Sequence, residues 1–290
     1  MKAHHWFVVA ASLLCLGATA QAAEKEKWET RSVADKPQIV LDPAKAYVVV
    51  QSDYMITPML MRVANADEAA KHAADRAEEF AKERAKWVKR HAEWERTMAT
   101  LAKQPASVSR PKEPQEPTES NFPWPRYEQV HSVIIGPQNR FAKGEGGAST
   151  YLQEVKSGEY LFYGNTMGIG GMCACLGTVA FRAEAGKVTS LGKLKLALAD
   201  LSKLPKEQRP KNSLALPDGV TTMAFEPAPF ADPRVAADLV SPAQFRPVDR
   251  MPNWFGLEVD RLTAIDGVMR YEYDKLIDLS ASAAGVAASR

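Results

Sequence analysis

The chain has 290 residues, with 37 Lys and Arg against 35 Asp and Glu, a formal net charge of +2 and three cysteines. This near-neutral balance provides no positive field to attract nucleic acid or anionic lipid, so we expect no nucleic-acid partner. Three cysteines are too few for a disulfide-rich scaffold, so stability must come from a hydrophobic core.

The first 22 residues have the layout of a secretory signal peptide. Lys2 provides a positive start, Trp6–Gly17 is an apolar run, and Ala20–Ala22 is a small-x-small cleavage site. The run is shorter than the roughly 20 residues of a membrane span, and Leu14 before Cys15 argues against a lipid anchor. We expect cleavage near Ala22, a mature net charge of 36 − 35 = +1 after loss of Lys2, no transmembrane segment, and a periplasmic or secreted bacterial protein.

The next segments predict an irregular leader followed by two strands. Residues 23–45 are charged and have little hydrophobic periodicity, so we expect a mobile leader. Ala46–Gln51 is a β-branched run and predicts a buried strand. Tyr54–Val63 predicts a second strand, in which Pro58 indicates an edge or a bulge because proline has no amide hydrogen to donate.

A long helix is predicted within residues 64–104. Asn65 is a good N-cap, and Glu68 three positions later completes a capping box. From Ala66 to Lys103 the sequence has no Gly or Pro and is rich in strong helix formers. Pro105 ends the helix, because a proline excludes helical geometry in the residue before it. Such a helix is roughly 57 Å long and must project, break or find a partner.

One face of this helix carries an aromatic stripe at a spacing of seven, formed by Phe80, Trp87, Trp94 and Leu101. Two interpretations are open. The stripe packs on the protein's own surface, as amphipathic helices usually do, or it forms the seam of a coiled-coil homodimer.

Residues 105–125 form a proline-rich segment with six prolines, of which Pro111, Pro114 and Pro117 are three residues apart. This spacing favours polyproline II, in which three residues advance roughly 9 Å. Seven helical residues advance roughly 10.5 Å. The matched repeats predict that the segment runs back along the aromatic stripe, so that helix and segment form a hairpin-like arm. The alternative is a floppy linker that crosses solvent.

The rest of the chain predicts short strands with Gly and Pro turns, which is typical of a β-sandwich or an open barrel. A hairpin with its turn at residues 184–186 is among them, and a short helix opened by Pro233 interrupts them. The strand-like ranges are 127–135, 150–155, 160–163, 176–182, 187–191, 194–198, 254–262 and 268–279. We therefore predict a mainly β fold, a β-sandwich or open barrel built from residues 46–63 and 126–280, with the helix and proline-rich segment inserted. We expect residues 281–290 to form a disordered tail, and we find no internal repeat.

Cys173 and Cys175 are the thiol pair that remains after signal cleavage. Thiolates at i and i+2 of a strand share a face and suit a soft metal such as Cu(I) or Zn, with Met167 or Met172 assisting. A closed zinc site needs four ligands, however, and the mature chain has only three histidines. A strained disulfide and two small buried side chains are the other interpretations. We expect no metal and no other cofactor.

Catalytic motifs are absent from the sequence. The glycines of residues 168–171 match neither phosphate-loop pattern, and an apolar strand follows them where a helix is required. The sequence also lacks the G-x-S-x-G, H-E-x-x-H and S-x-x-K signatures. We therefore name no catalytic residue, and we expect a protein that is not an enzyme.

Two runs carry a resemblance. They are Tyr160–Gly164, and residues 175–192 with the pattern C-x-G-T-V-x-F followed by A-G-x-V-x-x-L-G. These runs resemble exported bacterial proteins that carry a small β-sandwich domain of unknown function. The resemblance covers roughly residues 150–195 and implies a sandwich fold and an envelope location, with no activity. The long helix and the proline-rich segment are not part of it.

The function expected from the sequence is a non-enzymatic exported envelope protein. Its β-sandwich presents the helical arm to an unknown protein or envelope partner, or to a second copy in a homodimer through the helix. The alternative is a periplasmic copper or thiol-redox protein that uses Cys173 and Cys175.

Overall fold

The computed structural model describes most of the chain between residues 28 and 279. The described residues are 28, 30–53, 58–105, 107–137, 139–143, 148–165, 173–174, 177–198, 205–208, 221–226, 228–248, 251, 259–260, 264–272 and 275–279.

Within these residues the chain forms one long helix, one short helix and sixteen strands. The helices are α1 (Ala66–Leu101) and α2 (Tyr127–Val130). The strands are β1 (Arg31–Ser32), β2 (Ala46–Ser52), β3 (Pro58–Arg62), β4 (Ser132–Ile134), β5 (Ala142–Lys143), β6 (Ser149–Val155), β7 (Gly158–Asn165), β8 (Cys173–Ala174), β9 (Val179–Ala183), β10 (Val188–Leu198), β11 (Thr221–Glu226), β12 (Val240–Pro242), β13 (Arg246–Pro247), β14 (Val259–Asp260), β15 (Met269–Glu272) and β16 (Lys275–Asp278). Short 3₁₀ helices occur at Lys206–Gln208 and Ala237–Leu239.

Two larger sheets contain most of these strands. A seven-stranded sheet has the order β1-β6-β2-β10-β11, with β5 added on β6 and β12 on β10. A five-stranded sheet has the order β13-β9-β7-β3-β4. Two-stranded ladders join β8 to β14 and β15 to β16. Neither larger sheet closes into a barrel within the described strands, so the fold is mainly β, with several sheets and one long helix.

Both larger sheets contribute side chains to one buried cluster. Val48 and Val50 of β2 belong to it together with Tyr160 and Phe162 of β7. Neighbouring residues on the same strands, such as Val49 and Tyr163, belong to separate clusters on the opposite faces. This alternation follows from the two-residue period of a strand, in which successive side chains point to opposite faces.

Several predicted strands are confirmed, including Ala46–Ser52, Ser149–Val155 and Gly158–Asn165. Pro58 begins β3, where its missing amide hydrogen costs least, and the ladder to β7 shifts register between Met59 and Leu60. The predicted irregularity is therefore present. β3 is not an edge strand, however, because it pairs with β4 on one side and β7 on the other.

The predicted hairpin with its turn at residues 184–186 is wrong. β9 belongs to the five-stranded sheet and β10 to the seven-stranded sheet. The backbone amide of Gly186, at φ +73°, donates to the carbonyl of Lys45 at 2.7 Å, and the amide of Tyr47 donates to the carbonyl of Lys187 at 3.0 Å. The turn therefore passes the chain from one sheet to the other, and β10 runs beside β2.

Two further expectations need correction. Residues 23–45 do not form a separate leader from residue 30 onward, because β1 pairs with β6 and Arg31 binds the carboxylate of Glu154 at 2.8 Å. Ile39 and Leu41 then pack against a buried cluster. The strand expected at residues 127–135 begins as a helical turn, because α2 precedes β4.

The arm is inserted into a strand pair. β3 and β4 are antiparallel neighbours, with Met61 opposite Ser132, and residues 63–131 connect them. α1 begins at the predicted N-cap Asn65, whose capping box with Glu68 is confirmed, and it ends two residues before Lys103. No helix in the described part of the chain is long and apolar enough to span a membrane.

Candidate functional site

A single buried arginine fastens both ends of the arm to the sheet. Arg62, the last residue of β3, is 3% exposed. Its Nη1 donates to Glu68 in the first turn of α1 at 2.5 Å and to the hydroxyl of Tyr127, the first residue of α2 just after the proline-rich segment, at 2.6 Å. Its Nη2 donates to the carbonyl of Ser157 in the β6–β7 turn at 3.1 Å. We call this group the arm root.

The electrostatics of the arm root favour an ionised carboxylate and a neutral phenol. Burial opposes ionisation of Glu68, but the guanidinium of Arg62, the amide of Asn65 and the ammonium of Lys156 outweigh it and lower its pKa to about 2. Burial raises the pKa of Tyr127 to about 12. Tyr127 therefore remains a neutral donor and acceptor beside the Arg62–Glu68 ion pair.

Aromatic rings pack around the root. Tyr127 stacks on His131 with centroids 3.9 Å apart, and Trp28 meets the same imidazole edge-on at 5.2 Å. Burial lowers the pKa of His131, so this ring is neutral at neutral pH. On the helix side, Nε2 of His72 lies 3.0 Å from the indole nitrogen of Trp124. These contacts hold the start of α1 against the end of the proline-rich segment.

The aromatic stripe faces the returning proline-rich segment. The indole nitrogen of Trp94 donates to the carbonyl of Pro111 at 3.0 Å, and that of Trp87 donates to the carbonyl of Pro114 at 3.0 Å. Seven residues along the helix thus correspond to three along the segment, as the matched repeats predicted. Nearer the root, Phe80 packs on Phe122 with centroids 5.3 Å apart.

A second row of contacts, not foreseen from the sequence, runs parallel to the first. It joins three basic side chains of α1 to three glutamates of the segment. We call the basic side chains the cation row and the glutamates the carboxylate row. The pairs are Arg76 with Glu119 at 2.5 Å, Arg84 with Glu116 at 3.3 Å and His91 with Glu113 at 3.1 Å. The helix residues are eight and seven apart, and the glutamates are three apart.

Residues 111–119 therefore contain the pattern Pro-x-Glu three times in succession. This short repeat corrects the expectation that the chain has no internal repeat. Polyproline II has three residues per turn, so each prolyl carbonyl and each carboxylate recurs on the same side. The signal was present in the sequence, but the spacing of the prolines alone does not reveal it. It appears only when the glutamates are counted in the same register.

The helix stays accessible despite this cover. No residue of α1 is buried. Leu101, the last member of the stripe, is half-buried, and the opposite face exposes a line of small residues that includes Ala77, Ala81, Ala92 and the 56% exposed Val88. Beyond Arg76, the side chains of Arg84, Trp87, His91 and Trp94 all reach the proline-rich segment.

The thiol pair lies mostly outside the described residues. Cys173 is in β8, which pairs in parallel with β14, but its side chain and all of Cys175 are outside them. The glycines of residues 168–171 lie outside the described residues as well, as do Met167 and Met172, the possible additional metal ligands. The described part of the chain contains no cluster of His, Cys, Asp and Glu able to hold a metal ion. The interpretations of the thiol pair stay predictions.

A cavity of about 780 Å³ opens where β10 exchanges its partner β12 for β11. Its described lining is mainly apolar and includes Phe225, Phe245 and Ile265. Glu226 at its rim is engaged by Lys195 at 2.5 Å. This lining favours apolar contact over acid–base chemistry.

Comparisons of the chain with protein-family models, with curated proteins and with solved structures found no match.

Proposed function

We propose that this protein is an exported, non-enzymatic envelope protein whose two larger sheets form a β-sandwich and whose arm binds or assembles with a protein partner. Support for the sandwich comes from the cluster to which both sheets contribute alternate side chains. Support for export comes from the signal-peptide pattern of the first 22 residues.

The observation that carries the proposal is the construction of the arm. A 36-residue helix without a buried residue gains little stability from packing on the sheets. The chain nevertheless devotes a repeated proline-rich segment to covering its aromatic stripe and fastens both ends through Arg62. This construction keeps an exposed helix ordered over about 54 Å, which suits a surface that a partner has to reach.

The partner is proposed to be a different protein rather than a second copy bound through the aromatic stripe. In the single chain, the N–H groups of Trp87 and Trp94 already donate to the carbonyls of Pro114 and Pro111. A coiled coil through this stripe has to displace the proline-rich segment first. The faces away from the segment need no such displacement.

Site-specific photocrosslinking in intact cells tests the proposal. A photoreactive residue at Val88, on the exposed face of the arm, is expected to give a defined adduct with an envelope protein. The matched control is Val40, which is 93% exposed on the seven-stranded side of the molecule. The same adduct from both positions, a self-adduct only, or retention of the uncleaved chain in the cytoplasm contradicts the proposal.

A further inference from the structure

The cation row contains one member whose charge depends on pH in the neutral range. Arg76 and Arg84 keep their charge under all physiological conditions. His91 occupies the third position, opposite Glu113, and histidine is the side chain that changes charge between pH 5 and 8. We call each of the three pairs a rung, and the end of the arm farthest from the root its tip. The rung nearest the tip therefore differs chemically from the two rungs nearer the root.

The surroundings of His91 suit the protonated imidazole. Nε2 lies 3.1 Å from the carboxylate of Glu113 on the proline-rich segment, and Nδ1 lies 3.6 Å from that of Glu95 on α1. The ring lies between the indoles of Trp87 and Trp94, with centroids 5.0 Å and 5.5 Å away. Two carboxylates and two indole faces all attract a cation.

We propose that protonation of His91 fastens the tip-side half of the arm, so that the proline-rich segment closes on α1 in mild acid and loosens above neutral pH. A role of this closure in partner binding rests on the proposed function of the arm. The closure itself is a property of the single chain. Closure is strongest where His91 is charged and is lost as the pH rises.

The root responds differently and has to be measured separately. Nε2 of His72 lies 3.0 Å from both the Trp124 indole nitrogen, a donor, and the Pro125 carbonyl, an acceptor. Protonation of His72 therefore exchanges one partner for the other and does not simply add a contact. A probe of the whole arm mixes the two events, so the measurement must report on the tip-side indoles alone.

Hydrogen exchange of the Trp87 and Trp94 indole N–H groups, followed by NMR on the full mature chain without any partner, provides that local measurement. Protection is expressed relative to a free indole at the same pH. The expected result is protection about two- to fivefold greater at pH 5.5 than at pH 8.0, the range for an exposed ion pair. Equal protection at the two pH values overturns the proposal.

Two variants complete the test. His91→Arg gives the third rung the chemistry of the other two, so strong protection at both pH values is expected. His91→Gln removes the charge, so weak protection at both is expected. If His91→Arg keeps the pH response of the original chain, another group is responsible and the proposal is wrong. Because no partner is present, this outcome says nothing against the arm as a binding surface, which the Val88 crosslinking tests on its own.

Discussion

At the scale of single residues, Arg62 determines how the arm is held. It is a charged side chain with a fractional exposure of 3%, and its partners come from three separate parts of the chain. A buried guanidinium is tolerated only when its donors are satisfied, because desolvation of a charge is costly. Glu68 and Tyr127, at the two ends of the arm, accept from Nη1, and the Ser157 carbonyl accepts from Nη2. Nε has no hydrogen-bond partner among the described residues.

Arg62→Met is expected to lower the free energy of unfolding by about 3 kcal/mol, because it removes the donor that the partly buried Glu68 carboxylate shares with the buried Tyr127 hydroxyl. Of its described partners, Glu68 then keeps only the Asn65 amide and the Lys156 ammonium. Urea denaturation measures the change. The matched control is Arg84→Met, which breaks an ion pair whose side chains are 55% and 48% exposed. That change is expected to cost less than about 1 kcal/mol. Equal costs for the two substitutions contradict the assigned role of Arg62.

The carboxylate of Glu68 makes the stability of the protein sensitive to acid. Its pKa is about 2 in the folded chain, against an ordinary value of 4.5. A carboxylate with a lowered pKa contributes stability that is fully present above its ordinary pKa and is lost as the pH falls through the folded value. Stability is therefore expected to fall between about pH 4.5 and pH 2.

Glu68→Gln is expected to lower stability at pH 7 and to reduce the loss of stability between pH 4.5 and pH 2, since the titrating group is gone. Urea midpoints measured across this range test the expectation. Glu119→Gln, in an ion pair whose glutamate side chain is 68% exposed, is the control and is expected to change the stability at pH 7 by less than Glu68→Gln does. An unchanged acid dependence in Glu68→Gln shows that other carboxylates dominate.

At the scale of elements, the arm was largely predictable because its rules are local. The capping box at Asn65, the absence of Gly and Pro from the helix, and the match of seven helical to three polyproline residues all depend on neighbours in sequence. The turn at Gly186 was not predictable in the same way. Its sequence fits a hairpin, and only its pairing with Lys45, far away in the chain, takes β10 into the other sheet.

The arm root was not predictable from the sequence for the same reason. Arg62, Glu68 and Tyr127 carry no motif spacing, and they meet because β3 and β4 pair across the inserted arm. The predicted leader is wrong for residues from 30 onward because Arg31 pairs with Glu154, more than a hundred residues later. A high density of charged residues in a short segment indicates solvent exposure only when no side chain of opposite charge from a distant part of the chain pairs with it.

The Pro-x-Glu repeat permits a test of register. One alanine inserted between Glu116 and Pro117 rotates the two halves of the repeat by about 120° relative to each other. The rungs on one side of the insertion are then lost, and lower indole protection at Trp87 and Trp94 is expected. Insertion of Pro-Gln-Glu at the same place keeps the three-residue period, so most of this protection is expected to return. Equal protection after both insertions contradicts the idea that the contacts between the Pro-x-Glu repeat and α1 depend on register.

At the scale of the whole molecule, the arm and the sheets are expected to be separable, because the arm interrupts a pair of neighbouring strands. β3 and β4 are antiparallel with Met61 opposite Ser132, a pairing that a short turn can also connect. Replacement of residues 64–129 by Asn-Gly provides the turn that suits a two-residue hairpin. We expect this shortened chain to keep its sheets, as measured by circular dichroism and cooperative unfolding.

The shortened chain also tests whether the stabilising contribution of Arg62 depends on the arm. In the full chain, Arg62→Met costs about 3 kcal/mol because it breaks contacts with the two ends of the arm. Without the arm, Glu68 and Tyr127 are gone and the Ser157 carbonyl is the partner that remains among those described. The same substitution is then expected to cost less than about 1 kcal/mol, a coupling of about 2 kcal/mol or more in the double-mutant cycle. If Arg62→Met lowers the free energy of unfolding as much in the shortened chain as in the full one, the arginine stabilises the five-stranded sheet itself. The arm is then held by the contacts between α1 and the proline-rich segment and not by its root.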